Sequence, residues 1–541
     1  MPTLRAPSEA RRPLLRTNKP GSAATTAKRS RERERELRTG TFGQFLAVDL
    51  GAMSGRAVSG LIEDGKVKVS EKGRFHHRQL LLRGHLYWDL MALWRGMLDG
   101  LRAAASCGPV ESIGIDSWGV DYALVDEPGE LVGLPAHYQD GRAAAALQKL
   151  GQLIDPESLY GRNGTALDLR HTLVQLLAEP QGKLERANRM LMLPDLFSFW
   201  LTGVEGAEVT IASTTGLLSP ATKGWDYELS RRLAVPTKLL APLRRPGDLG
   251  GQVEPMVAEE AGLEGTVGVR VVAAHDTASA AVAVPCDTNA PFAFISIGTW
   301  SLVGIELEYP VLTEAARVGG FTNEIGVDGK IQFLHKVTGL RLLAECLRTW
   351  GREGGPPNLE ALLLAANGLP AGSWLVDPDH PSLSSLGDIP ARIRALCRRG
   401  GRPVPVQPAE VVRCLVDSLA LAHRRVLRDA VALCGRDVNA IHIVGGGSRN
   451  HLLCQATADA CDLPVIAGPA EASAIGNVLV QAGAAGVIPA GLEQLRACAK
   501  RSFELRHYRP AGTALWDSLE DRLGPVAGTP ERSDLGGPRA S

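Results

Sequence analysis

One pattern in this chain occurs twice and constrains everything else. Residues 45–48 are a short apolar run of β character. Asp49 ends the run where Gly51, Ser54 and Gly55 permit a tight turn before the chain becomes apolar again. The spacing predicts a hairpin with a carboxylate at its tip. Far along the chain the grammar returns: an apolar run from Phe292, the turn Gly298-Thr299, and a second run from Trp300. A single hairpin of this kind reads as plain sheet. The pair predicts two related domains facing a shared ligand.

Composition supports more than one core. A chain of 541 residues exceeds what one core usually accommodates, and 45% hydrophobic with 22% charged residues is the balance of a globular protein. The formal charge of zero is unevenly spread: residues 1–40 carry eleven Lys or Arg against four Asp or Glu, which leaves the remainder near −7. That sign disfavours a nucleic-acid surface. Residues 1–40 are too poor in aromatic and β-branched side chains to fold alone and read as an inert tail. They lack the apolar core of a secretory signal; their Arg-rich, Ser/Thr-containing start resembles a transit peptide, and their four acidic residues weigh against it. No run of about eighteen uncharged apolar residues occurs, so no transmembrane helix is expected. The nine cysteines are odd in number and form no Cys-x-x-Cys pair, the usage of reduced cytoplasmic thiols rather than of a disulfide framework or zinc site.

Between the hairpins the chain reads as alternating strand and helix. Residues 66–71 suggest a third strand, 86–105 a helix, and 110–116 a buried strand ending in Asp116-Ser117-Trp118-Gly119-Val120-Asp121. The signal over 143–246 is mostly helical, with a buried helix over 191–203 closed by Gly203. A strand over 269–274 leads into His275-Asp276-Thr277 and a small-residue helix over 278–284. Polar residues at the carboxyl end of a strand are where α/β sheets keep their chemistry, although Asp276 or Thr277 could equally be a helix N-cap. After the second hairpin come an amphipathic helix at 340–350, loops at 354–357 and 400–408, and a long helix at 409–435. A strand over 441–444 then runs into Gly445-Gly446-Gly447-Ser448-Arg449-Asn450 and a helix over 451–460. Three glycines there would let backbone lie flat against a planar or phosphorylated ligand. Residues 469–477 open a tightly packing helix, and the chain beyond about residue 510 reads as a second loose tail.

These turns carry no Ser-His-Asp or Cys-His order, no cluster of metal ligands and no Gly-Lys-Ser/Thr phosphate loop. Backbone and hydroxyl turns facing each other from two domains suit a nucleoside triphosphate held with a divalent cation. Phosphoryl transfer then needs little beyond positioning and a carboxylate to take the acceptor's proton.

Six strings stand in an order that resembles the rhamnulokinase branch of the FGGY carbohydrate kinases. They are Asp49-Leu50-Gly51-Ala52 with Ser54-Gly55-Arg56, Gly114-Ile115-Asp116-Ser117-Trp118-Gly119-Val120-Asp121, His275-Asp276-Thr277-Ala278-Ser279, Gly298-Thr299-Trp300-Ser301-Leu302, Phe321-Thr322-Asn323-Glu324, and the triple-glycine string from Ile441 to Asn450. The likeness spans residues 42–485. It implies an α/β fold of two duplicated ribonuclease-H-like domains of the actin and hexokinase type around a cleft. The halves would be 42–287 (sugar and phosphate side) and 288–485 (nucleotide side), flanked by the tail 1–41 and a C-terminal segment 486–541. It implies a cytoplasmic ATP-dependent kinase for the 1-hydroxyl of L-rhamnulose, working with Mg²⁺, with no nucleic-acid or membrane partner. Carried over by position, Ala52, Met53, Ser54, Gly55, Arg56 and Thr299 would hold the phosphates and Gly446 the adenosine. Asp49 would sit near the metal. Gly119, His275, Asp276, Thr277 and Lys336 would border the ketose, with Trp118 and Asp121 nearby, and Asp276 would be the general base.

The chain also departs from that pattern. Lys336 stands where the branch usually has an Asn against the sugar, Ala344 where it has a Gln near the nucleotide, His171 in place of another Asn, and Gln139 in place of an Arg. An amide that reads a hydroxyl is worth about 1–3 kcal/mol when its loss leaves a buried partner unpaired. Two other readings therefore stay open: a kinase for fuculose or a ketopentose, and a sugar-responsive regulator on a decayed kinase fold. Removing residues 1–40 should leave soluble, active protein; loss of soluble yield or of turnover in the truncated chain would show that the segment belongs to the fold.

Overall fold

The structure, a computed structural model, describes residues 43–286, 290–354, 358–385 and 387–523. The basic tail and the end of the chain lie outside them. The repeated hairpins become the centres of two mixed sheets. In the first half β1 (Gln44–Leu50) and β2 (Ser54–Glu63) pair antiparallel, β3 (Lys66–His76) extends the hairpin, and β4 (Val110–Ser117) lies parallel to β1. With β5 (Leu249–Gln252) and β6 (Gly268–Arg270) they form a six-stranded sheet ordered β5-β6-β4-β1-β2-β3. In the second half β7 (Phe292–Ile297) and β8 (Trp300–Leu307) repeat the hairpin. They join β9 (Thr322–Ile325), β10 (Ile331–Thr338), β11 (Ala440–Val444), β12 (Val465–Ala467) and β13 (Arg506–Tyr508) in the order β9-β10-β8-β7-β11-β12-β13. In both sheets the first hairpin strand takes a parallel partner, β4 or β11, reached through a long helical connection as parallel pairing requires. Parallel neighbours bury both faces of a strand, and β1 is buried at every position.

Two small-residue helices join the halves. Helix Asp276–Val282 follows the first sheet and helix Ala472–Ala484 follows the second, and they pack directly on each other. A second apolar cluster, separate from the main core, unites Phe45 and Val58 of the first sheet with Phe294 of the second through Ala280, Val282, Ile475 and Val478. The closest approach is at Gly476, where a Cβ would fall 1.8 Å from the Ser279 carbonyl oxygen. The same pair of helices is tied by Ser279 Oγ donating to the Ser473 carbonyl at 3.0 Å. Polar groups seal the first sheet onto the second helix: Asn477 Nδ2 donates to Asp116 Oδ2 at 2.6 Å, and Ser112 Oγ donates to Gln481 Oε1 at 2.7 Å. Arg496, buried beyond them, donates to the Ala281 carbonyl at 3.0 Å and pairs with Glu306 at 2.7 Å, linking helix Asp276–Val282 to β8.

Four expectations need correction. The buried strand expected over 269–274 ends at Arg270. Beyond it the chain is held by side chains instead of a ladder, with Ala274 N donating to Glu208 Oε2 at 3.1 Å and His275 N to Thr210 Oγ1 at 3.2 Å. The region 143–246 is helical only in part, since Arg189–Met192 pairs with Tyr122–Val125 and Ala207–Glu208 with Leu243–Arg244. The helix expected from 191 starts at Leu193, where Pro194 suits a first turn, and does close on left-handed Gly203. The stretch after residue 510 is not all loose: helix Thr513–Leu523 buries Trp516 and Leu519, and Arg424 of the long helix Pro408–Cys434 pairs with its Glu520 at 3.0 Å. The nine cysteines are free thiols. Among the described residues no helix is long and apolar enough to cross a membrane.

Gly476→Ala should lower stability by about 1–3 kcal/mol, because overpacking against a backbone carbonyl outweighs the better helix propensity of alanine. Gly161→Ala, in a helix where a Cβ meets nothing within 4 Å, should instead gain up to about 1 kcal/mol. Urea midpoints of the two variants measure the contrast.

Candidate active site

A cleft of about 640 Å³ opens between the sheets, within the range of small-molecule sites. Its first wall is the β1–β2 turn. Gly51 N donates to the Ser54 carbonyl at 3.0 Å, closing the turn. Asp49 Oδ2 then accepts from Arg56 Nη2 at 2.6 Å and from Ser473 Oγ at 2.7 Å. Arg56 also pairs with Glu471, which in turn holds Arg449 at 2.7 Å. Two residues of the closing helix region, Glu471 and Ser473, thus reach back to set the charge of the first turn. Arg56 and Ser473 reach the same Asp49 oxygen.

Across the cleft stand the second hairpin turn and the glycine string. Gly298 and Thr299 line the cleft, and so do Gly445 and Gly446. The three glycines divide their work. A Cβ on Gly445 or Gly447 would strike Ile297, at 2.9 and 2.3 Å, whereas one on Gly446 meets nothing within 4 Å. Two of them let the turn pack on β7, and the middle one leaves open backbone at the cleft.

Between these walls lies His275-Asp276-Thr277. Asp276 is the first residue of its helix, where the macrodipole favours an anion. Burial pushes its carboxyl up to about 6, with Asp49 adding to the rise and His275 opposing it. The side chain remains 36% exposed, so this is the desolvation of a cleft wall, not of a sealed core. His275 Nδ1 lies 3.0 Å from Glu324 Oε2 and its Nε2 lies 3.3 Å from Asp276 Oδ1. Burial works against its charge, but Glu324 and then Asp276 outweigh it and hold the imidazole up at about 9. At neutral pH an imidazolium therefore sits between two carboxylates.

The remaining walls are aromatic and cationic. Trp118 lines the cleft, stacked on His77 with 5.9 Å between ring centroids and packed on Trp88 at 4.2 Å. Asp121 stays behind it. The carboxylate is fully buried and accepts from both indole N–H groups, Trp88 at 2.7 Å and Trp118 at 2.8 Å, so it orients the wall without reaching the cleft. Burial raises it to about 7 against those donors. On the opposite side Trp300 carries Lys336 at 5.2 Å and Arg170 at 5.4 Å from its ring centroid.

The structure brings Asp49, Ala52, Arg56, Gly119, His275, Asp276, Thr277, Thr299, Lys336 and Gly446 to one cleft. It does not bring Met53, Ser54 or Gly55 there: Met53 is 51% exposed, Ser54 closes the turn through its carbonyl, and Gly55 packs on the Phe75 ring. His171 lines the cleft, whereas Ala344 and Gln139 do not. Tyr138, Asp168, Arg170, Thr214 and Ser473 also line it and were not singled out from sequence. Glu324 was quoted within a string but given no role. Its alternation with Thr322 on one strand face was the available signal.

Comparison with known proteins agrees with this geometry. Residues 44–283 match the N-terminal domain and 293–485 the C-terminal domain of the FGGY family of carbohydrate kinases. The chain is 39% identical over 481 residues to a rhamnulokinase of Bacteroides thetaiotaomicron, covering 88% of this chain and 97% of that one. It is 40% identical over 472 residues to a rhamnulokinase of Pectobacterium carotovorum, covering 86% and 93%. Its fold resembles a ligand-bound xylulose kinase from Lactobacillus acidophilus, with TM-score 0.71, 16% identity and 89% and 97% coverage. It also resembles Plasmodium falciparum glycerol kinase with ADP, with TM-score 0.70, 14% identity and 90% and 100% coverage.

Glu324→Gln should lower the His275 titration from about 9. His275 should then lose its proton at lower pH, and above that pH it no longer favours the Asp276 anion. Proton NMR of the imidazole and carboxyl carbon shifts report both, and an unmoved His275 would contradict the assigned pairing.

Proposed function

We infer the activity from a settled premise: the chain belongs to the FGGY family of carbohydrate kinases and is an ATP:sugar phosphotransferase. The sugar we propose is L-rhamnulose, phosphorylated on its 1-hydroxyl in rhamnose catabolism. The observation that carries the reading is the placement of Asp276, a carboxylate poised near neutrality between two phosphate-type turns. The near full-length likeness to rhamnulokinases supports the choice of ketose.

In this reading Asp276 takes the proton of the 1-hydroxyl as that oxygen attacks the γ-phosphorus of ATP. The bond from phosphorus to the β,γ-bridging oxygen breaks, and its electrons leave with ADP. A base whose pKa lies just below the working pH is largely ionised yet still basic enough to help. Imidazolium His275 keeps Asp276 ionised and oriented, while Glu324 keeps His275 charged. Gly119, His275, Thr277 and Lys336 border the ketose, and the Trp118 face, fixed by Asp121, gives it a flat apolar floor. Ala52 and Arg56 approach the phosphates from one half and Thr299 from the other. Met53, Ser54 and Gly55 supply the shape of the turn, and the open backbone at Gly446 receives the adenosine.

The donors near the first turn suit Mg²⁺. Arg56 and Ser473 engage Asp49 through one oxygen, and Mg²⁺ prefers one or two carboxylates with retained waters. Bound with ATP, the ion would supply charge neutralisation to the phosphate oxygens. Among the described residues no group of three or more His, Cys, Asp or Glu could hold a metal, in keeping with a cation that arrives with the nucleotide. The free thiols fit a cytoplasmic setting.

A second reading keeps the chemistry and changes the sugar to fuculose or a ketopentose, favoured by Lys336 and His171 on the cleft wall. Purified protein with Mg-ATP and a panel of ketoses in a coupled ADP assay separates the two. L-Rhamnulose should give the highest kcat/KM. Asp276→Asn should lower turnover by about 10²–10⁴-fold, the worth of a general base. The wild-type kcat/KM should fall about tenfold per pH unit below about 6, where Asp276 becomes protonated. Absence of ketose-dependent ADP release sinks the reading, and turnover of fuculose alone moves it to the second sugar.

A further inference from the structure

One wall of the cleft carries a lysine whose ion pair is 4.0 Å long. Arg56, on the opposite side, is fully engaged by Asp49 and Glu471. Three cations surround one indole, Lys336 and Arg341 from the second half and Arg170 from the first: they lie 5.2, 5.7 and 5.4 Å from the Trp300 centroid. Arg341 is tied down, donating to the Leu383 and Ser384 carbonyls at 3.0 Å each. Arg170 is paired to Asp168 through its Nε at 2.9 Å, and the Asp168 carboxylate also accepts from the Arg170 backbone N–H at 2.8 Å. Lys336 reaches an Asp168 oxygen at 4.0 Å, on a carboxylate already held by Arg170 and, at 3.3 Å, by His171, while Glu324 and Asp379 act on its ammonium as further charges. Burial and the neighbouring Arg170 pull its ammonium down to about 8, which leaves it charged at neutral pH.

Register fixes where this charge lies. Lys336 on β10 pairs with Leu302 on β8, two residues along the strand from Trp300, or about 7 Å. Trp300 follows directly on Thr299 of the phosphate-side turn. In the other direction β10 borders β9, whose Glu324 contacts His275 beside the base. Lys336 therefore stands on the wall between the turn that faces the nucleotide phosphates and the carboxylate that faces the acceptor.

We propose that Lys336, braced on Trp300 with Arg170 behind it, forms an anion subsite that receives the phosphoryl group in transit and afterwards holds the phosphate monoester of the product. The proposal rests on the kinase reading above and assigns it a residue for the moving charge. The reaction is the one already written: the 1-oxygen to phosphorus bond forms, the bridging bond breaks with its electrons going to ADP, and the proton goes to Asp276. Lys336 exchanges no proton. Its ammonium donates to the equatorial phosphoryl oxygens, a charge-assisted contact in a partly desolvated site. A lysine donates only, so it cannot read a sugar hydroxyl in both senses as an amide can.

The test uses the full-length enzyme with Lys336→Gln and Lys336→Arg. Steady-state kinetics with Mg-ATP and L-rhamnulose should show kcat for Lys336→Gln down by about tenfold to a hundredfold with KM for the ketose changed much less, and Lys336→Arg should recover most of it. Calorimetric binding of inorganic phosphate, and of the sugar 1-phosphate, should weaken by at least about tenfold in Lys336→Gln alone. A wild type without ketose-dependent ADP release fails the kinase reading itself. A working wild type whose Lys336→Gln variant changes only the ketose KM, with phosphate binding intact, overturns the subsite. A preference of the wild type for ketoses bearing a carboxylate, lost in Lys336→Gln, overturns it too, by giving the charge to the acceptor instead of the phosphate.

Discussion

The structure depends on one close crossing. Helix Asp276–Val282 and helix Ala472–Ala484 meet where Gly476 lies against the Ser279 carbonyl, with no room for a methyl group. Each carries part of the site on the end that faces the cleft. The first begins with Asp276, and the second presents Ser473 to Asp49, just after Glu471 has reached Arg56. Small residues at the crossing therefore set the spacing of the cleft, because any larger side chain would push Asp276 away from the β1–β2 turn. The apolar cluster shared by the two sheets is the energetic counterpart of the same contact.

Electrostatics inside the cleft follows a simple alternation. Glu324, His275 and Asp276 form a carboxylate–imidazolium–carboxylate series, and each member sets the protonation of the next. Behind the aromatic wall Asp121 is held by neutral donors, two indoles and the Gln175 amide among them, and it rises to about 7 because these hydrogen bonds offset burial only in part. The difference separates a carboxylate paired with a cation at the cleft wall from one that fixes a ring behind it.

Much of this was legible in the sequence, and the reason is local. Turn residues, a carboxylate at a strand end and a glycine string announce themselves through short-range rules, so the two hairpins, the His275-Asp276-Thr277 segment and the glycine turn were found in place. Residues that matter through distant packing were not. Nothing near Glu471 or Ser473 tells that they close on a hairpin hundreds of residues earlier. Asp168 and Arg170 lay in a stretch whose helical signal concealed them. The apolar run after Val269 looked like strand because hydrophobicity does not distinguish a ladder from a segment held by buried Glu208 and Thr210. Helix Thr513–Leu523 was missed because Trp516 and Leu519 are the buried apolar residues it offers amid charge and glycine, and its ion pairs to the long helix have no local signature.

Arg56 stands between Asp49, seven positions before it, and Glu471, 415 positions after it, one carboxylate from each half of a duplicated fold. That shared arginine has an evolutionary price. Once a charge in one copy is balanced by a residue in the other, the copies cannot diverge separately. A change at Glu471 therefore alters the charge at the β1–β2 turn of the opposite half, and joining halves from two different relatives would mismatch that charge before it disturbed either sheet. The two sheets repeat one hairpin with one parallel neighbour, but the charge at the first turn is balanced across both.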